Sequence, residues 1–530
     1  MKRIFLIFTA ICAISFVSVQ KTFAYIYPTE PKVLETLDKW QDLKFGIIIH
    51  WGLYSYLDCV ESWNLCYNFN EGKGRPSTMT YDEYKQWYWS AINSLSPQNF
   101  NPEQWAETAK AAGMKYLVFT TKHHDGFCLF DTKQTDFSIM HGAFKDNPRA
   151  NVTKEVFNAF REQDFMIGAY FSKPDWHNQD YWWDAFATPD HVINYDPRQY
   201  PEKWTNFKNF TYNQLEELMN GDYGKLDILW LDGNWVKPSH TFQNIDMPRI
   251  ATMARGYNPG VLIVDRASVP EYENYETPEQ EVPDTQIITP WESCMTLGHY
   301  WNYRTTDYLK TSAKVIHSLI EIVAKGGSLN LGVGPKPDGT LPDLVIQRLN
   351  QIGEWLNKNG NAIYATRPTP VYNDANTNTW FTQSKDGQKI YAIVCLPENS
   401  ALPTKVSWTG NEPLSGSTIK CLQTNTDVQW QKTSAGIEVT LPAGLPANLP
   451  AIAFELRNPN SSIDYIGDTK IRAADGNLYV ENHYPNIIRI YTLNGRLLHQ
   501  EKSVNSITTI TLPKGAYVVQ SGNVTQKVVL

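Results

Sequence analysis

The stretch Leu226-Asp227-Ile228-Leu229-Trp230-Leu231-Asp232-Gly233-Asn234-Trp235 constrains this chain more than any other. Its apolar run reads as a buried strand that stops abruptly on Asp232, with Gly233 next. A parallel strand ending in this way delivers its acid to the C-terminal rim of a sheet, where barrel enzymes keep their reactive groups. Trp230 and Trp235 beside the acid suggest a flat apolar ligand face. A second run, Thr285-Gln286-Ile287-Ile288-Thr289-Pro290-Trp291-Glu292, is read as a strand ending on Glu292. A lone aspartate after a strand is more often a turn or cap residue. Two acids on two strand ends change the balance, because a pair of carboxyl groups is the minimal equipment for glycoside hydrolysis.

The surrounding pattern supports a barrel. Strand-like runs at 45–50, 116–121, 166–171, 226–232, 261–264, 285–292 and 328–333 alternate with helical stretches near 103–113, 153–163, 214–219 and 306–324. This is the alternation of a parallel α/β sheet. The expected fold is a (β/α)8-like barrel over 25–367 with one strand irregular or missing. A doubly wound open sheet is the alternative, but no glycine-rich phosphate fingerprint follows the first strand. After Arg367 the strands become short and are separated by Gly, Pro, Asn and Ser, which predicts a β-sandwich over 368–457. Residues 458–462 read as a linker. A small all-β unit is expected over 464–530, with a hairpin turn at Asn494-Gly495.

The N-terminus reads as an export signal. Lys2 and Arg3 precede an apolar run to about Val19, and Thr22-Phe23-Ala24 offers small residues for cleavage after Ala24. The expected location is the periplasm, cell surface or extracellular space. Removing residues 1–24 moves the formal charge from -8 to about -11, which argues against a nucleic-acid partner. No later stretch is long and apolar enough to insert in a membrane. Cys59 and Cys66 are close enough for a local disulfide, and the apolar flanks of Cys395 suggest a buried thiol. Composition and spacing leave the oligomeric state open.

Polar residues follow the other strands too. His50 ends the first, and Lys122-His123-His124-Asp125 follows the second. Adjacent histidines make a poor metal pair. They are read as hydroxyl-binding groups, since a neutral imidazole both donates and accepts. The competing reading is that one of them bonds to rim backbone.

These residues carry a family resemblance. The chain resembles the α-L-fucosidases of glycoside hydrolase family 29 through Phe45-Gly46-Ile47-Ile48-Ile49-His50-Trp51-Gly52-Leu53-Tyr54-Ser55 and Thr121-Lys122-His123-His124-Asp125-Gly126-Phe127. Further matches are Tyr275-Glu276-Thr277-Pro278-Glu279-Gln280, Pro290-Trp291-Glu292-Ser293-Cys294-Met295-Thr296 and the run from Lys325 to Pro335. The resemblance implies a retaining exo-hydrolase of terminal α-L-fucosyl units on oligosaccharides or glycoconjugates. Asp232 would be the nucleophile and Glu292 the acid/base, with Asp307 as runner-up for the latter. His50, His123, His124, Tyr170 and Trp230 would line the sugar pocket, joined by Glu61 and Trp63 from a longer loop that spells Glu61-Ser62-Trp63. His299-Tyr300-Trp301-Asn302-Tyr303 stands where the family often has Trp-Gly-Tyr, which bears on leaving-group specificity. Activity on a related sugar such as α-L-galactose, or glycan binding without catalysis, are the alternatives. Residues 464–530 resemble the sorting domains of type IX secretion, through Ile488-Arg489-Ile490-Tyr491-Thr492-Leu493-Asn494-Gly495-Arg496, Lys514-Gly515-Ala516-Tyr517-Val518-Val519 and the terminal Lys527-Val528-Val529-Leu530.

No His/Cys/Asp cluster has metal-ligand spacing, and the implied mechanism needs neither metal nor cofactor. Hydrolysis should therefore survive exhaustive chelation. Loss of rate on chelation, with recovery on adding a divalent ion, would contradict this expectation.

Overall fold

A computed structural model describes residues 25–68, 75–76, 78–188, 190–266, 268–287, 289–458, 470–474, 477–481, 487–493, 496–503, 507–521 and 524–530. The expected signal peptide, the Asn494-Gly495 turn and the linker beyond Asn458 lie outside these residues.

Seven parallel strands form a curled sheet. They are β1 (Phe45–Ile49), β2 (Tyr116–Lys122), β3 (Met166–Ser172), β4 (Ile228–Asp232), β5 (Leu262–Val264), β6 (Glu292–Thr296) and β7 (Ser328–Val333). Their order is β5-β4-β3-β2-β1-β7-β6. Almost every strand residue is buried because both faces are covered, as in parallel sheets generally. Alternate side chains divide between two cores. Ile48, Val118, Ile228, Trp230 and Leu262 pack inside the curl. Ile47, Phe119, Ile167, Leu229 and Ile263 pack outward with the helices.

The expected irregular strand has a definite counterpart. Between β5 and β6 the chain 274–280 runs as an irregular bridge. Asn274 N donates to Ile263 O at 2.8 Å on the β5 side. Glu292 N donates to Glu276 O at 2.8 Å and Gln280 N to Cys294 O at 2.9 Å on the β6 side. This segment takes the place of an eighth strand. It pairs with the β6 side only through isolated bridges, Glu276 with Trp291 and Glu279 with Cys294.

Three expectations are corrected. Glu292 begins β6 instead of ending a strand, and it pairs with Ser328, the first residue of β7. It therefore lies at the N-terminal end of the barrel, opposite the rim. Pro290 cannot donate to a ladder, so the apolar residues before it run as loop. The helix expected over 306–324 begins at Ser312, capped by the Thr311 hydroxyl, so Asp307 stands in the loop before it. Cys59 and Cys66 are buried thiols and not a disulfide. The Cys59 Sγ faces Tyr84 Oη at 3.5 Å.

A six-stranded antiparallel sheet follows, built from Thr366–Asp374, Thr379–Ser384, Lys389–Cys395, Ile419–Cys421, Thr426–Val428 and Ala451–Arg457. A three-stranded sheet of Lys405–Trp408, Trp430–Thr433 and Gly436–Thr440 covers one of its faces. The other face packs on the barrel's helices. Along Lys389–Cys395, Ile390, Ala392 and Val394 enter the sandwich core, while Tyr391, Ile393 and Cys395 enter the barrel core. The buried Cys395 thiol follows from this double burial. Trp355 Nε1 donates to Ala451 O at 2.8 Å across the junction. The last unit has a three-stranded and a four-stranded sheet around Leu478, Val480, Ile488, Ile490 and Val519. Within it Ile487–Thr492 pairs antiparallel with Leu497–Lys502, the expected hairpin.

One glycine governs the barrel floor. A Cβ on Gly46 would lie 2.3 Å from the Tyr116 ring, which is fully buried above it. Gly46→Ala should therefore destabilise the protein by about 1–3 kcal/mol through overpacking. Thermal unfolding checks this, and an unchanged Tm would show that the ring has room to move.

Candidate active site

The ends of β1 to β5 converge on one cavity of about 230 Å³. Asp232 is the last residue of β4, and its side chain enters this cavity on the same face as Trp230, two residues earlier. Tyr170 pairs in register with Trp230 on the neighbouring strand, and the two rings stack at 5.3 Å. The Tyr170 hydroxyl donates to Asp232 Oδ2 at 2.6 Å. Arg266 Nε lies 3.6 Å from Asp232 Oδ1, and His124 Nε2 lies 3.6 Å from Oδ2. Burial works to raise the Asp232 pKa, but Arg266, His124 and the Tyr170 hydroxyl outweigh it and hold the carboxyl below its ordinary value. The acid is thus an anion at neutral pH, as a nucleophile must be.

The histidines are neutral for the complementary reason. Burial lowers His50 to about 3 and His124 to about 4, and it pushes His123 well below the usual imidazole range. Asp232 raises His50 and His124 only in part. Two serines orient the adjacent pair. Ser62 Oγ accepts from Asp125 N at 3.1 Å and lies 2.5 Å from His123 Nδ1. Ser172 Oγ donates to Pro174 O at 3.1 Å and meets His124 Nδ1. The Ser62 contact favours a donor at His123 Nε2, suited to a sugar hydroxyl, while His124 Nε2 faces the Asp232 carboxylate.

The loop after β1 brings in Glu61 and Trp63. Glu61 takes a left-handed φ of 36° and its carboxyl accepts from Trp301 N at 3.0 Å. Burial raises the Glu61 carboxyl to about 7. Trp63 packs edge-on against His124 and Trp176. Asp232, His50, His123, His124, Tyr170, Trp230, Glu61 and Trp63 all line the cavity.

Glu292 does not. It is fully buried beneath the cavity, where Tyr116 Oη donates to it at 2.8 Å and Trp230 Nε1 at 3.3 Å. Burial raises its carboxyl to about 7. Among the described residues no arginine pairs with it: Arg304 is engaged with Asp58, and Arg266 with Asp232 and Glu279. Asp307 is also outside the cavity, accepting from His299 N and Tyr308 N at 2.8 Å each.

Two functional candidates went unassigned in the sequence. Arg266 follows β5 with a left-handed φ of 55°, and its Nη2 lies 2.5 Å from Glu279 Oε2. One guanidinium therefore touches both Glu279 and Asp232. Its neighbour Asp265 forms a fully buried pair with Lys173 at 2.5 Å, and Lys173 N donates to Asp232 O at 3.0 Å. The ends of β3, β4 and β5 are tied together by these contacts. Glu279 lies within the Tyr275–Gln280 motif, which was the available signal. Among the described residues, no group of three or more His, Cys, Asp or Glu side chains could hold a metal ion.

An anionic carboxylate at a barrel strand end, set under aromatic rings and neutral imidazoles, defines a glycoside-hydrolase type of site. The chain belongs to the α-L-fucosidase family: the family model matches residues 12–361, and the model of the α-L-fucosidase C-terminal domain matches 372–457. Human tissue α-L-fucosidase is 29% identical over 437 residues, covering 78% of this chain and 87% of its own. The solved α-L-fucosidase isoenzyme 1 of Paenibacillus thiaminolyticus superposes with a TM-score of 0.66 at 28% identity, over 80% of this chain and 99% of that one. A trapped covalent intermediate of a Bacteroides thetaiotaomicron family 29 α-L-fucosidase, formed with 2-fluoro-fucosyl fluoride, gives 0.62 at 25% identity, over 80% and 96%.

The Arg266 contact makes a testable statement about pH. Arg266 keeps Asp232 ionised, so removing it should raise the Asp232 pKa. In Arg266→Met the acid limb of kcat/KM for an aryl α-L-fucoside should move to higher pH. An unmoved limb would mean that Tyr170 and His124 suffice.

Proposed function

We propose that this protein is an exported, retaining exo-α-L-fucosidase acting on fucosylated oligosaccharides or glycoconjugates. The observation that carries this reading is the ionised Asp232 in a cavity smaller than the roughly 300–1,000 Å³ typical of drug-sized ligand sites. Such a cavity suits one terminal sugar ring. Its apolar groups, Ile48, Trp230 and Trp301, favour a sugar bearing a methyl over one bearing a hydroxymethyl. Asp232 attacks the anomeric carbon and forms a glycosyl-enzyme, and water then releases the sugar. The imidazoles and Glu61 bind its hydroxyls.

The acid/base role passes from Glu292 to Glu279. Glu292 has no access to the leaving oxygen. The two other carboxyls in the cavity are Glu61 and Glu279. Glu61 is pushed up by burial into a range that suits an acid, but it is 4% exposed and bound by backbone N–H groups. Glu279 is 43% exposed at its side chain, so it reaches the leaving group and then solvent water. The guanidinium shared with Asp232 keeps the two carboxyls close, as the separation of about 5–5.5 Å in retaining enzymes requires. The segment 464–530 serves as a type IX sorting unit in this reading, with residues 1–24 as its signal peptide.

Asp232→Asn should remain folded and lose almost all turnover on aryl fucosides. Substantial residual activity on a natural substrate would remove Asp232 from the nucleophile role. Glu279→Ala should cripple poor leaving groups, spare the first step for activated aryl fucosides, and regain turnover with azide. Azide rescue in Glu61→Ala or Glu292→Ala, and not in Glu279→Ala, would reassign the acid/base.

A further inference from the structure

The loop between β6 and the helix Ser312–Ala324 carries more than a wall of the cavity. Trp301 faces the sugar pocket and lies 5.1 Å from the His50 ring. On either side in sequence are aromatics that the pocket does not use. The His299 and Tyr308 rings stack at 5.4 Å with 22° between their planes. Tyr300 meets His299 edge-on at 4.7 Å, and Arg304 lies over the Tyr300 ring at 4.9 Å. Tyr308 is 67% exposed.

Exposed rings usually lose order to solvent, yet the backbone that carries these is braced. The Asp307 carboxylate accepts from the backbone N–H of both His299 and Tyr308. A Cβ on Gly298 would lie 2.0 Å from that carboxylate, so glycine alone allows the approach. Lys310 Nζ donates to Thr296 O at 2.6 Å and to Gly298 O at 2.9 Å. Arg304 and Thr305 bond to Asp58 on the β1 loop. A surface so pre-organised binds a flat partner at little ordering cost.

Its position says which partner. Gln280, the residue after Glu279, donates from Nε2 to Thr296 Oγ1 at 3.1 Å. The Thr296 hydroxyl donates in turn to Gly298 O at 2.8 Å, one residue before His299. Glu279 and the ring stack thus stand on adjoining supports. A general acid sits on the leaving-group oxygen. The stack is therefore on the leaving-group side of the site.

We infer that His299 and Tyr308, with Tyr300 behind them, form a platform for the pyranose ring to which the fucosyl unit is attached. This rests on the proposed fucosidase reading and on Glu279 as its acid/base. The sugar presents an apolar C–H face to the rings, the contact by which aromatic side chains bury flat partners.

Two substrates separate the platform from the pocket. α-L-Fucosyl fluoride fills the pocket and has no leaving sugar to stack. The second substrate is whichever member of a panel of fucosylated oligosaccharides the full-length enzyme cleaves fastest. Tyr308→Ala and His299→Ala should keep kcat/KM for the fluoride within about twofold, and lower it for the oligosaccharide about tenfold, mainly through KM. Tyr308→Trp should restore most of that loss. Equal losses on both substrates, no loss on the oligosaccharide, or a wild-type enzyme that cleaves the fluoride and no oligosaccharide would each overturn the platform. A wild-type enzyme inert on the fluoride would instead overturn the fucosidase reading.

Discussion

An anion held out of water must be compensated where it stands, and the Asp232–Arg266 contact meets that requirement. Much of the surrounding architecture serves it. Arg266 reaches the carboxylate from a left-handed backbone conformation, which costs energy for a residue with a Cβ. The buried Lys173–Asp265 pair fixes the residue just before it. Lys173 also binds the backbone of Asp232, so the charge and its counter-charge are placed by the same few bonds. The neutral imidazoles complete the arrangement. They crowd the anion without adding positive charge that would tie it up.

Six of the seven strands could be read from the sequence because each is an apolar run buried on both faces; β6, Glu292–Thr296, is not such a run and was placed too early. Asp232 could be read because the run stops on it. Glu292 illustrates the limit of that logic. Hydropathy sees the apolar residues before it, but only Pro290 and the pairing with Ser328 reveal that the strand starts there. A strand's first and last residues look alike in composition and stand at opposite ends of a barrel. Glu279 was harder still. It sits in the bridge that replaces the eighth strand, where no periodicity marks position. Cys59 and Cys66 are near in sequence, but the fold directs Cys59 toward Tyr84.

The correction of Glu292 gives it a different place in the architecture. Its carboxyl receives the hydroxyl of Tyr116 and the indole N–H of Trp230, and Trp230 is the cavity floor that stacks on Tyr170. Gly46 makes room for Tyr116 in this stack of rings. The sugar-facing surface is thus carried by a column of buried polar contacts running down the inside of the barrel.

The six-stranded sheet has one further consequence. Its strand Lys389–Cys395 gives alternate side chains to two cores, so neither core is complete without it. Cutting the chain ahead of this sheet would strip the barrel's helices of apolar cover around Trp355 and leave the Trp355 indole N–H without its acceptor. Barrel and sandwich are therefore one cooperative unit and melt together. The C-terminal sheets have a core of their own around Ile488 and Val519, and Arg489 of this unit lies over the Tyr27 ring.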